Sequence, residues 1–204
     1  MRSRYRLINT SESLPDRVII TDDPLRAKML NAHHLEYSTT VYERGESLIY
    51  SGGYNGVPIA VISTGPGVDD VSAGFKEAVA HGAKEIIFIG ACVSSTDRHG
   101  IRDVIIAAGG SRSLSNRAIT AAASFGIPVS TRTVLPPDGE IPGEGCIIDR
   151  HTGRLYELAR EKGVEALSIL TVTENTVTGT TMEEHEVHSR FYAASGLVFE
   201  LFAL

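Results

Sequence analysis

Apolar residues in this chain fall in short continuous runs separated by longer amphipathic segments, an alternation that predicts strands packed between helices. Val57-Pro-Ile-Ala-Val-Ile, Ile86-Ile-Phe-Ile and Ala166-Leu-Ser-Ile-Leu-Thr-Val are too uniformly apolar for surface strands and suit the centre of a covered sheet. Shorter strands are predicted at 17–20, 102–107 and 128–134. Leu48–Gly56, running into Val57, reads as a hairpin with Asn55-Gly56 as its tight turn. Helical patterns occupy 22–30, 71–81, 116–125 and 152–162, and Gly82, Gly126 and Gly163 stand where helices stop. The Asp23-Pro24 pair gives the first of these a capped start. A long amphipathic helix is expected over 181–204. The one Pro/Gly-rich stretch, 135–145, is a loop. The expectation is an α/β fold, a three-layer αβα arrangement with a mixed, mostly parallel central sheet, in a single domain spanning 1–204.

Ligands in such sheets bind beyond the carboxyl ends of strands, which here are Ser63–Gly67, Gly90–Ser95 and Thr173–Thr176. The bulk numbers narrow what that ligand is. A net charge of −6 without a dense Lys/Arg cluster argues against nucleic acid. No apolar run reaches the roughly 18 residues needed to span a bilayer, and the basic start Met-Arg-Ser-Arg-Tyr-Arg lacks the apolar stretch of a signal peptide. Cys92 and Cys146 are too few for a disulfide framework, so a reducing cytoplasm is expected. His185 and His188 have no third ligand at a recognisable spacing, so no metal site is read.

Ordered motifs along most of the chain resemble the nucleoside phosphorylases of the purine nucleoside and uridine type. Asp22-Asp23-Pro24-Leu25-Arg26 is similar to that family's Gly-Asp-Pro-x-Arg phosphate loop. Arg44, ahead of Gly53-Tyr54-Asn55-Gly56, is similar to the Arg lent to a neighbouring subunit's phosphate. Thr64-Gly65-Pro66-Gly67 resembles Thr-Gly-Met-Gly, and Gly90-Ala91-Cys92 resembles Gly-Thr/Ser-Cys. Lys76-Glu77 and Leu167–Asn175 match the family's Lys-Glu helix and its Val-Ser-Asp-Asn strand. The resemblance implies a pentosyltransferase cleaving an N-glycosidic bond with phosphate. It also implies no cofactor beyond phosphate as co-substrate, and a homodimer or homohexamer. Arg26, Arg44 and Asp22 would lie at the phosphate. Thr64, Gly65, Gly90, Ala91, Cys92, Asp149, Arg150 and His151 would lie at the nucleoside, and Glu174 and His185 at the chemistry of the leaving base.

The departures from that pattern are systematic. Asp22 replaces the phosphate loop's Gly, Phe88 replaces an Arg, and Ala91 replaces a hydroxyl. Asp149-Arg150-His151 stands for Glu-Met-Glu, Glu174 for Asp, and His185 for Arg. A carboxylate about 4 Å from a phosphate, at an effective dielectric near 20, opposes it by about 4 kcal/mol, enough to cancel one contact. Three readings therefore stand together: phosphorolysis, hydrolysis with Asp22 or Glu174 activating water, and ligand binding without catalysis.

Overall fold

The structure, a computed structural model, describes residues 13–137, 145–189 and 191–204. The chain enters at β1 (Arg17–Thr21), turns into α1 (Pro24–His34), and returns through β2 (Glu36–Arg44), β3 (Ser47–Tyr54) and β4 (Val57–Ser63). It continues through α2 (Val68–Ala80), β5 (Glu85–Ser94), β6 (Val104–Ala107), α3 (Arg112–Phe125), β7 (Val129–Arg132), β8 (Val134–Leu135) and β9 (Ile147–Ile148). It ends with α4 (Thr152–Lys162), β10 (Glu165–Asn175), β11 (Thr180–Thr181), α5 (Glu184–Ser189) and α6 (Tyr192–Ala203).

The main sheet runs β2-β3-β4-β1-β5-β10-β6-β7. β4, β1, β5 and β10 are mutually parallel, while β3 against β4 and β6 against β10 are antiparallel. Alternation along the parallel strands sends side chains to two cores. Ile20, Ile62, Ile86 and Phe88 pack with Phe75 of α2 and Leu155 of α4. Ile19, Val61, Ile87 and Ile89 pack with Leu30 of α1, Leu114 of α3 and Phe199 of α6. The three-layer expectation and the mixed sheet with a parallel centre are what the chain forms.

The parallel strands deliver their carboxyl ends, Thr21, Ser63, Ser94 and Asn175, to one edge. The Asp23-Pro24 pair opens α1 as expected: Asp23 Oδ1 accepts from the Leu25 amide at 2.8 Å, and Asp22 is not the cap. One expectation needs correction. The helix expected over 181–204 is broken. Thr180 and Thr181 pair with Asn175 and Glu174 as β11, and Phe191, at φ −94° and ψ 29°, starts a new helix rather than continuing α5. The amphipathic pattern ran through this break because Phe191 is apolar and buried on either reading. Within the loop predicted over 135–145, Leu135 is strand and 138–144 lie outside the described residues.

Candidate active site

Thr21, Asp22 and Asp23 form the turn between β1 and α1, and the side chain of Arg26 folds back into it. Arg26 is only 2% exposed. Its Nη1 donates to Thr21 Oγ1 at 2.9 Å, Asp22 Oδ1 at 2.7 Å and the Ile89 carbonyl at 3.4 Å, and its Nη2 donates to the Val187 carbonyl at 3.3 Å. Asp23 Oδ2 stands 3.7 Å from Nη2, and the guanidinium lies 4.0 Å above the centre of the Phe191 ring. Nε alone has no hydrogen-bond partner among the described residues. An arginine so committed holds the β1–α1 turn, the middle of β5, α5 and the start of α6 together. Its charge is already answered by Asp22 and Asp23.

Across from this turn, α4 begins at Thr152, and its free amides are taken by Asp149 rather than by the helix's own cap residue. Asp149 Oδ2 accepts from the His151 amide at 3.1 Å and the Thr152 amide at 2.7 Å, while Oδ1 faces His151 Nδ1 at 3.3 Å. The other ring nitrogen of His151 lies 3.1 Å from the Pro66 carbonyl. Both ring nitrogens thus face acceptors, an arrangement the imidazolium fills best. Burial by itself would depress the pKa of His151. The Asp149 carboxylate, the charge of Asp22 and the Pro66 carbonyl outweigh it and hold the pKa above the ordinary 6.5. Burial likewise pushes Asp149 upward, but hydrogen bonds and charge from His151 and Thr152 bring it below the ordinary 3.8.

These opposite shifts give opposite pH limbs. The stabilisation from His151 is complete below pH 6.5 and fades as pH rises through its raised folded-state value. That from Asp149 is present above pH 3.8 and fades as pH falls through its lowered value. Thermal unfolding from about pH 5 to about pH 9 should therefore show the parent losing Tm on the alkaline side relative to His151→Gln. Parallel curves would show that His151 is neutral in the fold.

Phe88 occupies the space between these groups. Its ring packs at 5.1 Å, tilted, against His151, and it lies over Gly90, where a Cβ would run into the ring edge. Gly65 has φ +100°, and a Cβ there would come within 3.1 Å of Glu46 Oε2, so the Thr64–Gly67 turn requires glycine. Thr64 is buried, with its amide donating to the Thr21 carbonyl at 3.2 Å and its hydroxyl to the Gly65 carbonyl at 3.1 Å. Cys92 is a buried free thiol, pushed up by burial and by the charge of Asp149.

The fold thus gathers Asp22, Arg26, Thr64, Gly65, Gly90, Cys92, Asp149 and His151 at one sheet edge, while half-buried Ala91 packs toward the opposite core. It leaves others at the surface. Arg150 is exposed, Arg44 is exposed at the end of β2, and Glu174 and His185 are exposed on β10 and α5. α5 nevertheless lies against the cluster, because its Val187 carbonyl accepts from Arg26. Thr21, Pro66 and Phe191 were not legible as site residues. A backbone carbonyl leaves no trace in sequence, and an apolar ring reads as core. Among the described residues no group of three or more His, Cys, Asp or Glu is placed to hold a metal.

The model of the phosphorylase superfamily matches residues 16–116, the span carrying the β1–α1 turn, the Thr64–Gly67 turn and the end of β5. Over that span the chain is similar to that superfamily. It is 29% identical over 206 residues to the DeoD-type purine nucleoside phosphorylase of Bacillus velezensis, covering 85% of this chain and 89% of the relative. The Caldanaerobacter subterraneus protein of the same name is 27% identical over 220 residues, covering 92% and 95%. In structure the chain is similar to purine nucleoside phosphorylase from Toxoplasma gondii, crystallised with immucillin-H. The TM-score is 0.83 at 20% identity, over 100% of this chain and 95% of that one. The likeness accounts for the frame. No helix among the described residues is long and apolar enough to cross a membrane.

Proposed function

We propose that the chain cleaves the N-glycosidic bond of a purine nucleoside, with water rather than phosphate taking up the sugar. The observation that carries this reading is the 2.7 Å pair between Asp22 and the buried Arg26. It puts a carboxylate on the guanidinium that an incoming phosphate would need, and that repulsion opposes an anionic nucleophile but not a neutral one. Asp22 Oδ1 is held by Arg26, and Oδ2 has no hydrogen-bond partner among the described residues, so one oxygen is available to a water molecule. In the proposed step Oδ2 accepts a proton as the water oxygen bonds to the anomeric carbon. The glycosidic bond breaks, and its electron pair leaves with the base. The departing base takes its proton from a solvent water, whose hydroxide is neutralised by the proton that Asp22 later releases.

The purine preference rests on the names of the relatives. A second reading, phosphorolysis, is favoured by the retained Arg26 and by exposed Arg44, which a neighbouring copy in a homodimer or homohexamer would bring to the site. Base release from adenosine, inosine and uridine, measured with and without inorganic phosphate, separates the two. Release that is equal in both conditions and yields free ribose is expected. Release that requires phosphate and yields ribose 1-phosphate would replace hydrolysis with phosphorolysis, and no release with any nucleoside would remove both.

A further inference from the structure

A cavity of about 380 Å³ lies beyond the ends of β5, β7 and β10, lined among the described residues by Thr96, Asp97, Arg98, His99, Arg132, Gly145 and Val177. That volume falls within the range of small-ligand sites. None of these residues belongs to the Asp22 cluster.

Its wall is rigidly built. Asn175, fully buried at the end of β10, donates through Nδ2 to the carbonyls of Thr96 at 2.8 Å and His99 at 2.7 Å. Ser94 Oγ donates to the Thr96 carbonyl and accepts from the Thr96 amide. Ser95 and Cys146 exchange hydrogen bonds behind them. The 94–99 segment is therefore fixed on both sides.

Within this wall His99 is 4% exposed and accepts from Arg132 Nε at 2.9 Å through Nε2. Its proton consequently sits on Nδ1, which faces Asp103 Oδ2 at 3.7 Å. Burial and the charges of Arg132 and Arg98 lower the pKa of His99, keeping it in the neutral form that this bond needs. Arg132 is thus anchored through the edge of its guanidinium. Nη1 reaches the Thr131 carbonyl at 3.2 Å, and Nη2 has no partner among the described residues. The Arg98 guanidinium makes no hydrogen bond or ion pair among the described residues, yet lies near enough to bear on His99. Among the described residues two cations, Arg98 and Arg132, line the cavity against one acid, Asp97, in a chain whose net charge is −6. A buried histidine spent on orienting an arginine whose free face opens into a cavity is an anion-recognition arrangement.

We propose that this cavity binds an oxyanion, a carboxylate or phosphate group, between the guanidinium groups of Arg132 and Arg98, with His99 as the positioning residue for Arg132. The group is either a free ion or part of a larger ligand.

Isothermal titration with inorganic phosphate and with adenosine 5′-monophosphate tests this on the parent and on Arg132→Gln, Arg98→Gln, His99→Leu and His99→Gln. Each arginine variant should weaken phosphate binding about tenfold or more, the loss of one charge-assisted contact. His99→Leu should weaken it similarly. His99→Gln, whose amide oxygen can accept from Arg132 Nε, should restore it, a rescue that a merely structural histidine would not give. Adenosine 5′-monophosphate binding tighter than phosphate, with the same variant sensitivity, supports the site with a tethered anion. Equal binding supports it with a free ion. Absence of phosphate binding, or binding unaltered in both arginine variants while their melting curves match the parent, overturns the assignment.

Discussion

Arg26→Ala should destabilise the fold by about 3–5 kcal/mol, the range for removing one partner of a buried charge pair. The size follows from what the guanidinium serves. Its loss leaves Asp22 without its cation, takes donors from Thr21 Oγ1 and the Ile89 and Val187 carbonyls, and opens a void above Phe191. An exposed pair gives the contrast. Lys84 and Asp16 meet at 2.9 Å with side chains 71% and 62% exposed, and solvent screening limits such a pair to about 0.2–1 kcal/mol. Arg26→Met refills most of the volume without the donors, so it should recover part of the loss and separate packing from charge. Urea denaturation of the three proteins measures this. An alanine variant within about 1 kcal/mol of the parent would mean that water reaches Asp22 and replaces the arginine.

Much of this frame was legible because local chemistry and tertiary demand agree. Asn55 and Gly56 both adopt positive φ, 50° and 78°, as an Asn-Gly hairpin turn requires. Gly126 and Gly163 end α3 and α4 in the left-handed conformation. The central strands were readable from their continuous apolar runs. β2 was missed because its residues are mostly exposed and polar, and its place is set by pairing with β3. The site was legible only as a set of altered positions. Asp149 and His151 were expected at the nucleoside from the resemblance alone. That they close upon each other and on the Pro66 carbonyl, 85 residues away in sequence, depends on tertiary geometry. Phe88 was legible as a missing arginine. That its ring fills the space over Gly90 and against His151 was not. The substitutions therefore interlock. Phe88 gives the neighbouring histidine a wall, and the polar atoms of His151 turn inward to Asp149 and Pro66.

Asp22→Asn should lower nucleoside cleavage by about 10²–10⁴-fold, the contribution of a positioned general base, while leaving the fold largely intact. Asparagine is nearly the same shape, and its Oδ1 can still accept from Arg26 Nη1, with Asp23 remaining as a second acid at the guanidinium. What disappears is the negative charge that takes the proton from water. Asp22→Gly acts differently, because it also exposes the arginine. With the carboxylate gone, the Arg26 donors lose their strongest acceptor, and the turn regains the residue that the family's phosphate loop carries. Phosphate should then raise the Tm of Asp22→Gly more than that of the parent, and cleavage by this variant should become phosphate-dependent. An Asp22→Asn protein that cleaves at the parental rate would make Asp22 a structural partner of Arg26 only. An Asp22→Gly protein indifferent to phosphate would show that Phe88 and Ala91, not Asp22, close the anion site. Because one substitution removes charge alone and the other removes charge and side chain together, the pair of rates separates the acid's part in chemistry from its part in blocking phosphate.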